Sequence, residues 1–172
     1  AEKPLVLHGK DGFSSKTRDG LTASYYYSWT RLNPAGALSV GGTDYEVTGS
    51  RCMDHEWITS VLDARHQGWD WFSVQLDDGS DLMCFRMRHV AGAAASFVTG
   101  TYVSADGESR SMSAAEIELS TAAPPSAVLR GPGYPSSWTL SSPHPRPALS
   151  LTPLLAAHYM VLSFRVLAAP AR

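Results

Sequence analysis

Polar and apolar residues alternate with a period of two through most of the first two-thirds of the chain, and helical periodicity is nearly absent. Runs rich in β-branched and aromatic residues predict strands over Thr22 to Leu32, Ala37 to Val40, Tyr45 to Ser50, Arg51 to Trp57, Trp69 to Leu76, Leu82 to Arg88 and Phe97 to Ser104. Gly41-Gly42, Asp77-Asp78-Gly79 and Asp106-Gly107 supply the turns between them, because glycine accepts the positive φ of tight hairpins. The fold class is therefore all-β, an antiparallel barrel or half-barrel with at most one or two short helices. The one helical turn expected lies over Ser113 to Leu119, where Ser113 caps and Glu116 follows at capping-box spacing. A meander must close on itself or cover its edges, and small barrels often keep a ligand cavity.

From Pro124 onward the pattern changes. Pro124, Pro125, Pro132, Pro135, Pro143, Pro145 and Pro147 interrupt any long strand, because proline cannot donate to a ladder. Short strands remain expected over Ser137 to Ser141 and Ala148 to Leu151, and His158 to Leu167 is apolar enough for a last strand or a helix. The reading is one domain over 1–172, with a linker-like start at 1–20 and a proline-rich end at 124–172.

Charge narrows the partners. Lysine and arginine number 14 against 16 acidic residues, a net charge of −2 without a basic stripe, which argues against nucleic acid. No apolar run approaches the roughly 20 residues of a membrane-spanning helix, and the start Ala1-Glu2-Lys3-Pro4 shows no signal segment, so the compartment stays open. Cys52 and Cys84 can pair if their strands are neighbours, although a strand cysteine is more often an inert buried thiol.

The densest chemistry is Asp54-His55-Glu56-Trp57, followed after a loop by Gly68-Trp69-Asp70-Trp71-Phe72. Strand alternation puts His55 and Trp57 on one face and Cys52, Asp54 and Glu56 on the other. The expectation is that His55 reaches the cavity as an acid/base beside the Trp57 indole; the plainer reading makes it a half-buried structural residue. Tyr25, Tyr27 and Trp29 likewise share a face opposite Tyr26, Ser28 and Thr30. Ser28 with His55 and either Asp54 or Asp70 has the residue types of a nucleophile, base and orienter, but no Gly-x-Ser-x-Gly elbow occurs. No His-x-His or His-x-x-x-His pair occurs either, so no metal or other cofactor is expected.

The stretches Leu7-His8-Gly9-Lys10-Asp11-Gly12-Phe13-Ser14, Ala23 to Ser28, Asp54 to Trp57, Gly68 to Gly79 and Asp81-Leu82-Met83 resemble the AttH-like and carotenoid 1,2-hydratase family. The resemblance covers residues 4 to 90 well and the rest loosely. It implies a lipocalin-like barrel, a hydrophobic substrate, a secreted or periplasmic setting and two such domains per protein, of which this chain looks like the second. His55 and Trp57 match the His-x-Trp element of the carotenoid hydratases. Phe85-Arg86-Met87 stands where those enzymes carry a tyrosine and, two residues on, an aspartate.

Two functions follow. In the first, His55, Asp54, Glu56 and Ser28 activate water for ester hydrolysis or alkene hydration, with Tyr27, Trp57, Trp69 and Trp71 holding a hydrophobic substrate. In the second, the same pocket binds a lipid or isoprenoid without turnover. A missing partner domain or self-association is expected to cover any open sheet edge.

Overall fold

A computed structural model describes residues 1–58, 64–92, 96–121, 135, 137–142 and 148–153. The chain forms two compact units, one ending at Ile117 and one beginning at Glu118. The first unit carries β1 (Val6–Leu7), β2 (Phe13–Ser15), β3 (Ala23–Leu32), β4 (Ala35–Val40), β5 (Thr43–Thr48), β6 (Arg51–Ile58), β7 (His66–Gln75), β8 (Asp81–His89), β9 (Phe97–Val103) and β10 (Ser109–Met112). The second carries β11 (Glu118–Thr121), β12 (Trp138–Ser141) and β13 (Leu149–Leu151), paired in that order, with Leu140 buried.

All pairings are antiparallel. In the first sheet β3 is central, with β6 along one edge and β1 and β2 in succession along the other. The second sheet is the meander β10-β9-β8-β7, and β4 and β5 form a separate hairpin. No ladder joins the two larger sheets among the described residues, so the unit is a half-barrel.

Each expected strand through Val103 is present within one to three residues of its expected ends. Four further strands were not foreseen: β1 and β2 in the expected linker, then β10 and β11, which are short and largely polar. The 1–20 segment is in fact built into the fold, with Val6 and His8 each 1% exposed. Half of the Ser113 capping box forms: the Ser113 amide donates to Glu116 Oε2 at 2.9 Å, but the Glu116 amide goes to the Ser113 carbonyl at 3.0 Å and Ser113 Oγ donates to Glu116 Oε2. It closes a turn and no helix, because Glu118 already pairs in β11. His158 to Leu167 lies outside the described residues.

The facing sides of the two sheets are fixed by the pleat. Met83, Phe85 and Met87 of β8 lie opposite Ser73, Trp71 and Trp69 of β7, so all six share one face. Tyr26 of β3 packs on Met83, Phe85 and Met87, with Phe97 beside them. Each such side chain contributes about 1.5–3 kcal/mol through burial. Cys84 occupies the opposite face of β8, whereas Cys52 sits beside Ser73 on the inner side. A sheet separates the two thiols, and both are free.

Asp81 locks the sheets together. Lys3 Nζ lies 2.8 Å from its Oδ2 and Arg31 Nε 2.8 Å from its Oδ1, with all three groups buried or nearly so. Removing one member of a buried ion pair strands its partners, at a cost of about 3–5 kcal/mol. Asp81→Asn is expected to lower the unfolding free energy by about that amount in urea titration; a loss below about 1 kcal/mol would show that the lock is dispensable.

Candidate functional site

The inner face of β3 is polar. Ser24, Tyr26, Ser28 and Thr30 are buried there, while Tyr25, Tyr27 and Trp29 point outward. On β6, Glu56 lies opposite Tyr26 and Asp54 opposite Ser28, so both carboxylates reach inward from this edge strand. His55 and Trp57 face out, contrary to the expectation that His55 reaches the interior. The His55 ring stacks on Tyr27 with centroids 5.4 Å apart, and Trp57 lies 4.2 Å from His55.

Among the described residues, the buried histidine is His8. Gly9 follows it at φ 73°, where a Cβ would stand 2.2 Å from the Phe13 carbonyl oxygen, so only glycine admits the turn. Asp11 and Gly12, both at positive φ, complete the reversal into β2. His8 Nε2 then lies 2.8 Å from Ser28 Oγ and Nδ1 lies 2.9 Å from Thr101 Oγ1.

Donor counting sets the direction of every bond. The Trp71 indole can only donate, and it does so to the Tyr26 hydroxyl at 3.1 Å. Tyr26 donates its own hydrogen to Asp54 Oδ1 at 2.7 Å, and Ser28 donates to the same oxygen. With the single Ser28 hydrogen committed, His8 Nε2 must be the donor to Ser28, which leaves Nδ1 to accept from Thr101. Thr101, His8 and Ser28 therefore form an ordered row of donors ending on the Asp54 carboxylate.

This order is not that of a nucleophilic triad, where serine donates to histidine. Ser28 and Asp54 are hydrogen-bonded, but His55 lies on the other side of the sheet. Asp70 is bound by Arg86 at 2.8 Å on the outer face of β7. Glu56 pairs with the buried Lys16 ammonium at 2.5 Å and accepts from Ser24 at 2.5 Å. Trp71 joins the site through Tyr26, whereas Trp69 is 59% exposed on the same face. Tyr27 and Trp57 are outside it.

Beside the row lies an open cleft of about 570 Å³, lined by His8 and Thr101 together with Phe13, Met83, Phe85 and Phe97. Among the described residues no three His, Cys, Asp or Glu side chains come close enough to hold a metal.

The AttH-like family profile matches residues 1–166. The chain belongs to the AttH-like family. A crystal structure of an AttH protein from Nitrosomonas europaea is 32% identical, with a TM-score of 0.78, covering 89% of this chain and 47% of that one. Kievitone hydratase from Nectria haematococca shares the fold at 15% identity and a TM-score of 0.64, covering 83% of this chain and 43% of that one. The chain thus spans about half the length of these relatives. No curated protein matches it at a significant level.

In this AttH-like chain, the apolar run Leu5-Val6-Leu7 ahead of the His8-Gly9 turn is the sequence signal for β1 and its histidine. Lys16, Tyr26 and Thr101 carried no comparable mark. Phe85 and Met87, where the resemblance led to a tyrosine and an aspartate, are apolar core facing Tyr26.

Burial pushes the His8 imidazole down to about 4; Asp54 pulls against that shift and Lys16 adds to it. Burial raises the Tyr26 phenol, and Asp54 raises it further. Burial lowers Lys16, opposed by its bond to Glu56. His8 is therefore neutral in the fold but takes a proton near 6.5 when unfolded. Its contribution is complete above that value and is lost as pH falls toward 4, amounting to roughly 3 kcal/mol. His8→Gln should flatten the fall in urea stability between about pH 7.5 and 4.5. An unchanged slope would mean that His8 is not a buried neutral imidazole.

Proposed function

We propose that this AttH-like protein activates water against a hydrophobic small molecule held in the cleft, with Asp54 as the proton acceptor. The observation that carries this reading is the direction of the row from Thr101 through His8 and Ser28 to Asp54. Water in the cleft gives a proton to the Thr101 end as the Thr101 hydrogen moves to His8, the His8 Nε2 hydrogen to Ser28 and the Ser28 hydrogen to Asp54. The hydroxide left behind bonds to a polarised carbon of the substrate, and the stored proton returns to the oxygen or carbon that takes the electron pair. Each intermediate group gains one hydrogen and loses one.

A base-first relay suits ester hydrolysis without a covalent acyl-serine, since the Ser28 hydrogen points at a carboxylate and not at a histidine. Alkene hydration is the second reading, and the fold shared with kievitone hydratase favours it. Met83, Phe85 and Phe97 supply the apolar wall for either substrate.

Turnover of acyl esters and of alkenes conjugated to a carbonyl, whose far carbon is polarised for hydroxide, in water labelled with oxygen-18 separates the two. Hydrolysis places label in the carboxylate product, and hydration places it in a new alcohol. Asp54→Asn keeps an acceptor for Ser28 and Tyr26 but loses the base, so kcat should fall on the order of 100-fold or more with little change in melting temperature. His8→Gln should fall in parallel, while His55→Ala stays within about twofold. Wild-type rates in folded Asp54→Asn would exclude the relay, and ligand retention with no turnover of either class would leave a binding module.

A further inference from the structure

A second, smaller pocket of about 200 Å³ opens where the β2–β3 loop meets the start of β7 and the end of β8. Its lining includes Arg18, Arg65, His66 and His89, with Asp19 as the carboxylate among them. These basic side chains come from three separate segments, so they do not belong to a solvated charge run. Backbone bonding fixes two of those segments against each other, since the Val90 amide donates to the Arg65 carbonyl at 2.8 Å. The His66 and His89 rings stand 5.5 Å apart and nearly perpendicular.

Donors predominate in this pocket. The Ala91 amide donates to His89 Nδ1 at 3.0 Å, which makes Nε2 the N–H donor of the neutral ring. Asp19 Oδ1 accepts from the Thr17 hydroxyl at 2.6 Å and the Leu21 amide at 3.1 Å, and its single charge, felt by Arg65, offsets one of the two guanidinium charges. Arg18 gives one N–H to the Ser96 carbonyl at 3.4 Å, a small part of a five-donor fork whose geometry matches carboxylate and phosphate oxygens. Phe97 lines both this pocket and the 570 Å³ cleft, so a single ring separates the cationic end from the apolar one.

We propose that the Arg18, Arg65, His66 and His89 pocket holds the anionic head group, carboxylate or phosphate, of an amphiphile whose apolar body lies in the cleft. The inference rests on the cleft being the substrate site. It names the substrate class as an anionic amphiphile and makes the neutral analogue of the same chain length a poorer ligand.

Titration calorimetry with decanoate, decyl phosphate, decanol and inorganic phosphate tests it. The proteins compared are wild type, Arg18→Gln and the double variant Arg18→Gln with Arg65→Gln. Wild type should bind at least one of the two anionic amphiphiles about tenfold or more tighter than decanol. The better of them identifies the head group. The double variant should lose about that factor for the anions and keep decanol affinity, with Arg18→Gln intermediate. Melting temperatures establish that each variant is folded, and Arg18→Gln, at an exposed position, remains informative if the double variant is not. Equal wild-type affinity for anions and decanol, or equal losses for both in the variants, overturns the anion site. Decanol binding without an anion preference leaves the cleft reading standing and removes the head-group site. Arginine-dependent binding of inorganic phosphate without any decanol binding does the reverse.

Discussion

Two cations meet at one buried carboxylate, and that junction sets the spacing on which the rest of the first unit depends. Asp81 opens β8 in one sheet, Arg31 lies near the end of β3 in the other, and Lys3 arrives from the chain start. Burying three charges is expensive, and an apolar replacement often recovers as much free energy. Here the cations do more than pair. Lys3 also donates to the Gly79 and Ser104 carbonyls and Arg31 to those of Leu76 and Ser80, so the junction brings side-chain donors to four loop carbonyls, which an apolar cluster could not do. With the sheets held there, Tyr26 meets Phe85 and the polar inner face of β3 is closed off from water.

That polar face is a cost accepted inside a small core. Ser24, Ser28, Thr30 and His8 occupy positions where apolar side chains would bury more area, and each hydroxyl then needs a partner. Most have one, but Thr30 Oγ1 is buried without a hydrogen bond. Meanwhile Tyr25 and Trp57, which would pack well inside, stand 61% and 54% exposed. The inversion is local to β3 and β6. On β8 the ordinary rule holds, with Met83, Phe85 and Met87 turned inward.

The same inversion explains what the sequence could and could not show. Strand positions along the meander were legible because alternation and turn residues agree from Ala23 to Val103. The family was legible as well, from Asp54 to Trp57 and the Trp69 to Gly79 run. The inward face of β6 was not, because hydrophobicity ranks Met53, His55 and Trp57 above Cys52, Asp54 and Glu56 and so selects the wrong side. Half of the donor row, Ser28 and Asp54, was named from residue type alone. His8 was lost with the two-residue strand that carries it, too short for any periodicity to register. Local rules fail at β3 and β6 together, where the polar residues converge, as expected when a site is maintained at the expense of the core.

The direction of the donor row depends on His8 staying neutral, and its surroundings contend over that proton. Asp54, joined to it through Ser28, stabilises an imidazolium; burial opposes one more strongly, and Lys16 adds a positive charge on the same side. Lys16 is itself kept in place by Glu56 and by the Phe85 ring, whose centroid lies 4.2 Å from Nζ. A protonated His8 would donate from both nitrogens, turn the Thr101 hydroxyl away and break the row at its open end. The Lys16 and Glu56 pair makes no hydrogen bond to His8 or Thr101, yet its positive end lowers the imidazole, an effect that Glu56 partly offsets, and so favours the neutral state that the proposed relay requires. An inward cation beside an inward carboxylate, costly for stability alone, is thereby intelligible as part of the same electrostatic arrangement.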